Sequence, residues 1–248
     1  MKVLITGATS GIGFDMARYL SSFGYDLYLV GRDRKKLNEL SKCLNVKVIA
    51  LEYDLTNSDN CIKLHDELRK ENIDIVINNA GFGDYGIFSE TNIDKELSMI
   101  DLNIKAYHIL TKLFLKDFTK KNHGRILNVA SFAGFVPGPY MATYYATKSY
   151  VLNLSLAISQ ELKKSKSNVK ISVFCPGPVN TNFNNVANVK FNINSISSEY
   201  AAKYAIDNMF KNKVLIIPPN MKLIHKFIKI SPTNIVLNII SKSQERRK

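Results

Sequence analysis

Short, unbroken runs of Val, Ile and Leu recur along this chain, and a longer stretch with helical spacing follows nearly every one. The runs lie at 2–6, 26–30, 46–51, 74–78, 124–130, 169–175 and 214–217, and the helical stretches near 11–23, 34–44, 57–71, 93–121, 143–166 and 198–210. The runs show little polar alternation, as expected of strands covered on both faces. Strands alternating with helices at this spacing imply right-handed crossovers and a parallel sheet. The expected fold is therefore α/β, a single doubly wound parallel sheet of about seven strands with helices on both faces. A length of 248 residues suits one such domain, and no Pro/Gly/Ser-rich linker divides it. The longest stretch without an evident element, 176–197, is expected to be a functional loop, such as a lid.

Charge is unevenly spread. The chain carries a net +13, and residues 211–248 hold nine Lys/Arg against Glu245, a net +8. Nucleic acid is not an expected partner, because no helix-turn-helix, zinc-finger or aromatic RNA-binding pattern accompanies the charge. Cys43, Cys61 and Cys175 are odd in number and lack C-x-x-C spacing. That argues against a disulfide scaffold or zinc ribbon and fits a reducing, cytoplasmic setting. The four histidines show no metal-binding spacing, so no metal is expected. No run reaches the roughly 18 apolar residues of a membrane span. The start, with Lys2 before a short apolar run cut off at Thr6-Gly7, does not read as a signal peptide.

The first run opens into Gly7-Ala8-Thr9-Ser10-Gly11-Ile12-Gly13. Gly7 permits a tight turn, Gly11 leaves room for a pyrophosphate, and Gly13 lets the following helix lie close to the strand, its N-terminal amides facing the phosphates. Further landmarks follow in order: Asp54-Leu55 after the third run, Asn78-Asn79-Ala80-Gly81 after the fourth, Asn103 within a long helix, Ser131 after the fifth, Tyr144-Tyr145-Ala146-Thr147-Lys148, and Pro176-Gly177 with Val179 and Thr181 after the sixth. With its G-x-x-x-G-x-G turn, this ordered set resembles the compact branch of the short-chain dehydrogenase/reductase family over residues 1–217. The resemblance implies a Rossmann sheet and oxidoreduction of a carbonyl or alcohol with a nicotinamide dinucleotide. It implies cofactor contacts at Gly7, Thr9, Ser10, Gly11, Ile12, Gly13, Asp54, Leu55, Asn79, Ala80, Gly81, Pro176, Gly177, Val179 and Thr181. It also implies pairing through the helices near 93–121 and 143–166 into a homodimer or homotetramer.

The choice of dinucleotide rests on the end of the second run. An acid there, about 20 residues past the glycines, holds the adenosine ribose 2′-OH of NAD. This chain has Gly31 at the matching position, followed by Arg32. A guanidinium can fork onto a 2′-phosphate, so NADP(H) is expected over NAD(H). Asp33 complicates the reading, as a charge that repels the phosphate or as a cap for the next helix.

Tyr144 and Lys148, four apart, share one face of a helix. By the resemblance Tyr144 is the acid/base, Lys148 lowers its pKa and holds the nicotinamide ribose, Ser131 hydrogen-bonds the substrate oxygen, and Asn103 holds a proton-relaying water. Ser131 is not in a G-x-S-x-G elbow, which argues against a hydrolase.

Phe82, Tyr85, Phe88, Phe132, Phe135, Tyr140 and Phe183 fall in loops past the strand ends and are expected to rim an apolar substrate pocket. Residues 218–248 read as a basic amphipathic extension packed on the same domain. Leu223, Ile224, Phe227 and Ile228 share one helical face, and Ser231-Pro232 starts a second, strongly apolar helix. Such helices can cover the pocket, pair with another subunit or lie on an anionic membrane. The expected function is NADPH-dependent reduction of a hydrophobic ketone or aldehyde, or the reverse oxidation. The rivals are a catalytically idle NADP-sensing protein and a membrane-surface reductase of lipid-like carbonyls.

Overall fold

The computed structural model describes residues 1–183, 187 and 195–245. The seven apolar runs lie in one sheet as β1 (Lys2–Thr6), β2 (Asp26–Gly31), β3 (Val48–Glu52), β4 (Ile75–Asn78), β5 (Arg125–Val129), β6 (Lys170–Phe174) and, past a short separate pair, β9 (Leu215–Ile216). That pair, β7 (Val179–Asn180) with β8 (Ile196–Ser197), gives the 176–197 loop a small frame of its own. The main sheet runs β3-β2-β1-β4-β5-β6-β9 with every pairing parallel. Sequence order reverses between β1 and β4, and in open α/β sheets ligands bind in the crevice outside the strand ends at that point.

Alternate side chains of each strand go to opposite faces. Val3, Ile5, Leu27, Leu29, Ile75 and Ile77 join a core with α1 (Gly11–Ser21), α2 (Arg34–Lys42) and α7 (Ser198–Phe210). Leu4, Tyr28, Val30, Val76 and Ile126 join the opposite core, under α3 (Ser58–Leu68), α5 (Tyr107–Lys121) and α6 (Ala142–Lys164). Burying each such side chain contributes about 1.5–3 kcal/mol, which fixes the register, since a one-residue slip would exchange the two faces.

The long helix expected over 93–121 is present but not α-helical throughout. It is α4 (Ile93–Ile100), one π-helical turn over Asp101–Ala106, and then α5. After β9 the chain forms α8 (Pro219–Ile230) and α9 (Thr233–Glu245). Ser231 closes α8, its Oγ donating to the Phe227 carbonyl at 2.8 Å, rather than opening the helix that follows.

Candidate active site

Where β1 ends, Gly7 and Gly11 take positive φ (68° and 55°), which glycine adopts without strain. A Cβ on Gly7 would lie 2.8 Å from the Ala80 Cα, and one on Gly13 would overlap the Gly7 carbonyl and the Asn79 amide. The ends of β1 and β4 are stapled here. Asn79 Nδ2 donates to the carbonyls of Thr6 and Gly7, both at 3.1 Å. Thr6 Oγ1 accepts from the amides of Asn79 (3.0 Å) and Ala80 (3.1 Å). The first turn of α1 therefore opens beside a hollow that only glycines leave free, a cradle fit for a pyrophosphate.

A cavity of about 590 Å³ runs from this cradle across the sheet end. It is lined by every residue expected to touch cofactor or substrate oxygen except Gly13, which lies beneath the turn, and Asn103. Thr181 closes over the turn, its Cγ2 3.1 Å from the place of a Cβ on Gly11. Asp54 turns its Oδ1 to the amide and hydroxyl of Thr56 (3.0 and 2.8 Å), and Leu55 beside it is buried.

At the adenosine end Arg32 is exposed and lines the cavity. Asp33 caps α2, accepting from the Lys36 amide at 3.0 Å with the Lys36 ammonium at 3.4 Å. These hydrogen bonds hold its carboxyl below the usual range. Arg34 Nη1 donates to the Ala50 carbonyl at 2.8 Å.

Ser131, Tyr144 and Lys148 converge on the cavity wall. Ser131 Oγ accepts from the Ala133 amide at 3.1 Å and lies on the cavity wall with Tyr144. The Tyr144 ring is half-buried and packs on Phe183, centroids 5.3 Å apart. Lys148 Nζ donates to the Val129 carbonyl at 3.1 Å and lies 5.8 Å from the Tyr144 ring centre. In this arrangement burial is the largest influence on the Tyr144 hydroxyl. Desolvation raises the tyrosine, the nearby Ser131 hydroxyl opposes this only in part, and burial pulls Lys148 itself down to about 8. Burial disfavours the charged form of Lys148 as it does that of Tyr144.

Asn103, fully buried, sits in the π-helical turn. Its Nδ2 donates to the Phe82 carbonyl (2.9 Å) and Thr147 Oγ1 (3.1 Å), and its Oδ1 accepts from the Phe82 amide (3.2 Å). It ties the loop after β4 to α6, the helix that carries Tyr144. A Cβ on Gly81 would lie 2.9 Å from Asn103 Oδ1 and 3.3 Å from Lys148 Nζ, so the two groups meet at this glycine.

The aromatic rim needs correction. Phe82, Phe132 and Phe183 line the cavity, whereas Phe88 is exposed and Phe135 packs on His225 of α8. Tyr85 and Tyr140 stack on each other and hold the end of α9. Tyr85 donates to the Gln244 carbonyl (2.9 Å), Tyr140 to Glu245 (3.2 Å), and Gln244 Nε2 to Tyr145 Oη (2.7 Å). The residues missed at the sequence level are those of the roof: Met221, Ile224, Phe227, Val236, Ile239 and Ile240 enclose the far end of the cavity. Their apolar spacing was visible; their direction was not.

A glycine cradle at the switch point, continuous with a Ser, Tyr and Lys cluster under an apolar roof, defines a dinucleotide-dependent oxidoreductase. Residues 1–191 match the family described as short chain dehydrogenase, and the chain belongs to that family. It is an enzyme acting on CH–OH or carbonyl groups with NAD or NADP. An uncharacterised oxidoreductase of Staphylococcus epidermidis is 34% identical over 184 residues, 72% of this chain and 77% of the relative. A very-long-chain 3-oxoacyl-CoA reductase of Schizosaccharomyces pombe is 32% identical over 187 residues, 69% of this chain and 54% of the relative. Among solved structures, a short-chain dehydrogenase from Sphingobium yanoikuyae in complex with NADPH aligns with a TM-score of 0.82 at 31% identity, covering 88% of this chain and 87% of that one.

Proposed function

We propose that the protein reduces an apolar ketone or aldehyde with NADPH, Tyr144 supplying the proton. The observation that carries this reading is the convergence of Ser131, Tyr144 and Lys148 on the wall of a cavity continuous with the glycine cradle. The cradle at Gly7, Gly11 and Gly13 would hold the dinucleotide, which when bound would supply the hydride for the carbonyl carbon. Tyr144, kept neutral by desolvation, is an acid suited to donate to the oxygen that gains charge, and Ser131 holds that oxygen in line. Lys148 holds the ribose hydroxyls, and Asn103 acts as a positioning residue that fixes Phe82 and α6; a water bound near Asn103 and Lys148 would return the proton.

Preference for NADP(H) over NAD(H) is supported by three features. Gly31 offers no carboxylate, Asp33 is engaged as a helix cap, and Arg32 stands at the cavity edge free to fork onto a 2′-phosphate. The apolar roof supports a hydrophobic substrate, and a relative named as an acyl-CoA reductase fits such a roof.

Tyr144→Phe tests the proposal. NADPH binding and thermal unfolding should be unchanged while NADPH oxidation on a panel of medium-chain ketones and aldehydes falls at least about a hundredfold. Equal turnover by the variant would overturn the assignment. NADPH binding by the native protein with no turnover on any carbonyl would favour a dinucleotide-sensing protein instead.

A further inference from the structure

The roof helices have two apolar faces, and only one is used by the fold. On α8, Met221 is buried and Ile228 lines the cavity. Leu223 and Ile230 lie about 200° and 180° around the helix from Met221, at 3.6 residues per turn, so they face away from the domain, while Phe227, at about 240°, stands at the edge between this face and the cavity. Leu223 is 78% exposed and Ile230 84%. On α9, Ile235 and Ile239 repeat the pattern opposite the buried Gln244, with about half of each side chain exposed. Lys222, Lys226 and Lys229 occupy the arc of α8 beside this stripe, and Lys242 lies about 20° from Ile235 on α9, on the side away from Ile239. All four lysines are exposed, and no ion pair among the described residues engages them. The sequence continues with Arg246, Arg247 and Lys248.

This outer patch is continuous with the cavity. Ile224, Phe227 and Ile239 line the cavity and are also exposed at the surface. An apolar stripe edged by unpaired cations matches a bilayer surface with anionic headgroups, which seats the stripe among acyl chains and the lysines among phosphates. No helix among the described residues is long and apolar enough to cross a membrane, and the contact inferred is interfacial.

We infer that α8 and α9 dock the enzyme on anionic membrane through Leu223, Phe227, Ile230, Ile235 and Ile239 with the four flanking lysines, and that the carbonyl substrate enters the cavity from the lipid. The second half of this inference rests on the reductase reading above; the first does not.

The test is sedimentation of the full chain with vesicles rich in phosphatidylglycerol and with pure phosphatidylcholine vesicles. The variant is Leu223→Ser/Ile230→Ser/Ile235→Ser, three exposed positions that do not line the cavity. The native protein should pellet with anionic vesicles, weakly with neutral ones, and less as salt is raised. The triple variant should lose at least about tenfold in partition coefficient. It should reduce a short, water-soluble aldehyde at the native rate and a long-chain aldehyde carried in vesicles at least about tenfold more slowly. Protein that stays in the supernatant with both vesicles, or a triple variant that pellets as well as the native chain, overturns the inference. So does a native dimer that the triple variant converts to monomer by light scattering without any vesicle binding, because the stripe would then face a second copy. Sedimentation needs no turnover, so a failure of the reductase reading and a failure of membrane docking give different results.

Discussion

Placing a carboxylate at the end of β2 should reverse the dinucleotide preference, but only with a second change. Gly31 has a φ open to any residue, so Asp is not excluded by the backbone. Its Cβ would, however, stand 2.7 Å from Thr9 Cγ2, while Leu37 at 3.5 Å is an ordinary neighbour. Carbon atoms sit best at about 3.5–4.0 Å, so the Thr9 methyl must yield by nearly an ångström. Overpacking of that kind costs about 1–3 kcal/mol, which lowers Tm by about 2–10 °C in a chain this size. Thr9→Ser deletes the offending methyl and keeps the hydroxyl. In the Thr9→Ser/Gly31→Asp protein, a carboxylate bonded to the ribose hydroxyl contributes about 1.5–3 kcal/mol to NADH binding, a gain of about ten- to a hundredfold. Against a 2′-phosphate the same carboxylate costs up to about 4 kcal/mol at 4 Å and an effective dielectric of 20, so NADPH should weaken by up to about a thousandfold. Fluorescence titration with each nucleotide gives both constants. Gly31→Asp alone should weaken both, and the double variant should prefer NADH. A double variant that keeps the native ratio would refute the placement of the 2′-position beside Gly31, and a native protein that prefers NADH would refute the role of Arg32.

Two further predictions concern the polar centre. Burial lowers Lys148 to about 8, while Tyr144 is held up, so kcat/KM for the reduction should fall as pH rises through about 8, an alkaline limb that reports the lysine rather than the tyrosine. Between pH 8 and the ordinary lysine value of 10.5 the unfolded chain still binds a proton that the folded chain has shed. Stability should therefore rise with pH across that window, by on the order of 3 kcal/mol in all, and Lys148→Met should flatten the rise in urea unfolding followed at several pH values. Asn103→Ala removes the partner of both the amide and the carbonyl of Phe82, which should cost about 2–3 kcal/mol in urea unfolding. It should lower kcat more than it raises KM for NADPH, and an unchanged stability would show that the π-helical turn does not depend on this clamp.

The sequence was most readable where main-chain geometry decides the outcome. Strands buried on both faces must be apolar throughout, and all seven runs found their places within two or three residues. The cradle was readable for the same reason: at Gly7, Gly11 and Gly13 any side chain meets backbone, the Asn79 amide or Thr181, so only one residue type fits. The π-helical turn was not readable, because one extra residue in a turn leaves the apolar spacing on either side intact. The only trace was a fully buried asparagine in mid-helix. Asp33 could be settled only by seeing its carboxylate on the Lys36 amide. On α8, spacing grouped Leu223 with Ile228, yet Ile228 lines the cavity and Leu223 faces outward. Both arcs of that helix are apolar, and periodicity carries no preference between them.

The two ends of the cavity are therefore fixed by different means. The cradle end is defined by backbone atoms in contact and leaves little freedom for the nucleotide. The roof end is defined by side chains, and it is held to the domain by the Tyr85, Tyr140 and Tyr145 hydroxyls at Gln244 and Glu245. Tyr145 belongs to α6 and directly follows Tyr144, so the helix that carries the acid also carries the latch of the roof. A displacement of α9 large enough to admit a long apolar substrate must lengthen the 2.7 Å contact at Tyr145, and it does so one residue from Tyr144, the acid of the proposed reaction. Two or three hydrogen bonds of this kind are worth about 0.5–1.5 kcal/mol each, small beside the apolar burial that a long-chain substrate offers at about 0.8 kcal/mol per methylene. Under the proposed reductase reading, a ligand with a chain of several carbons would gain enough burial to displace the roof, whereas a short carbonyl would bind beneath the closed roof. The far end of the site would then discriminate by chain length rather than by the chemistry of the carbonyl.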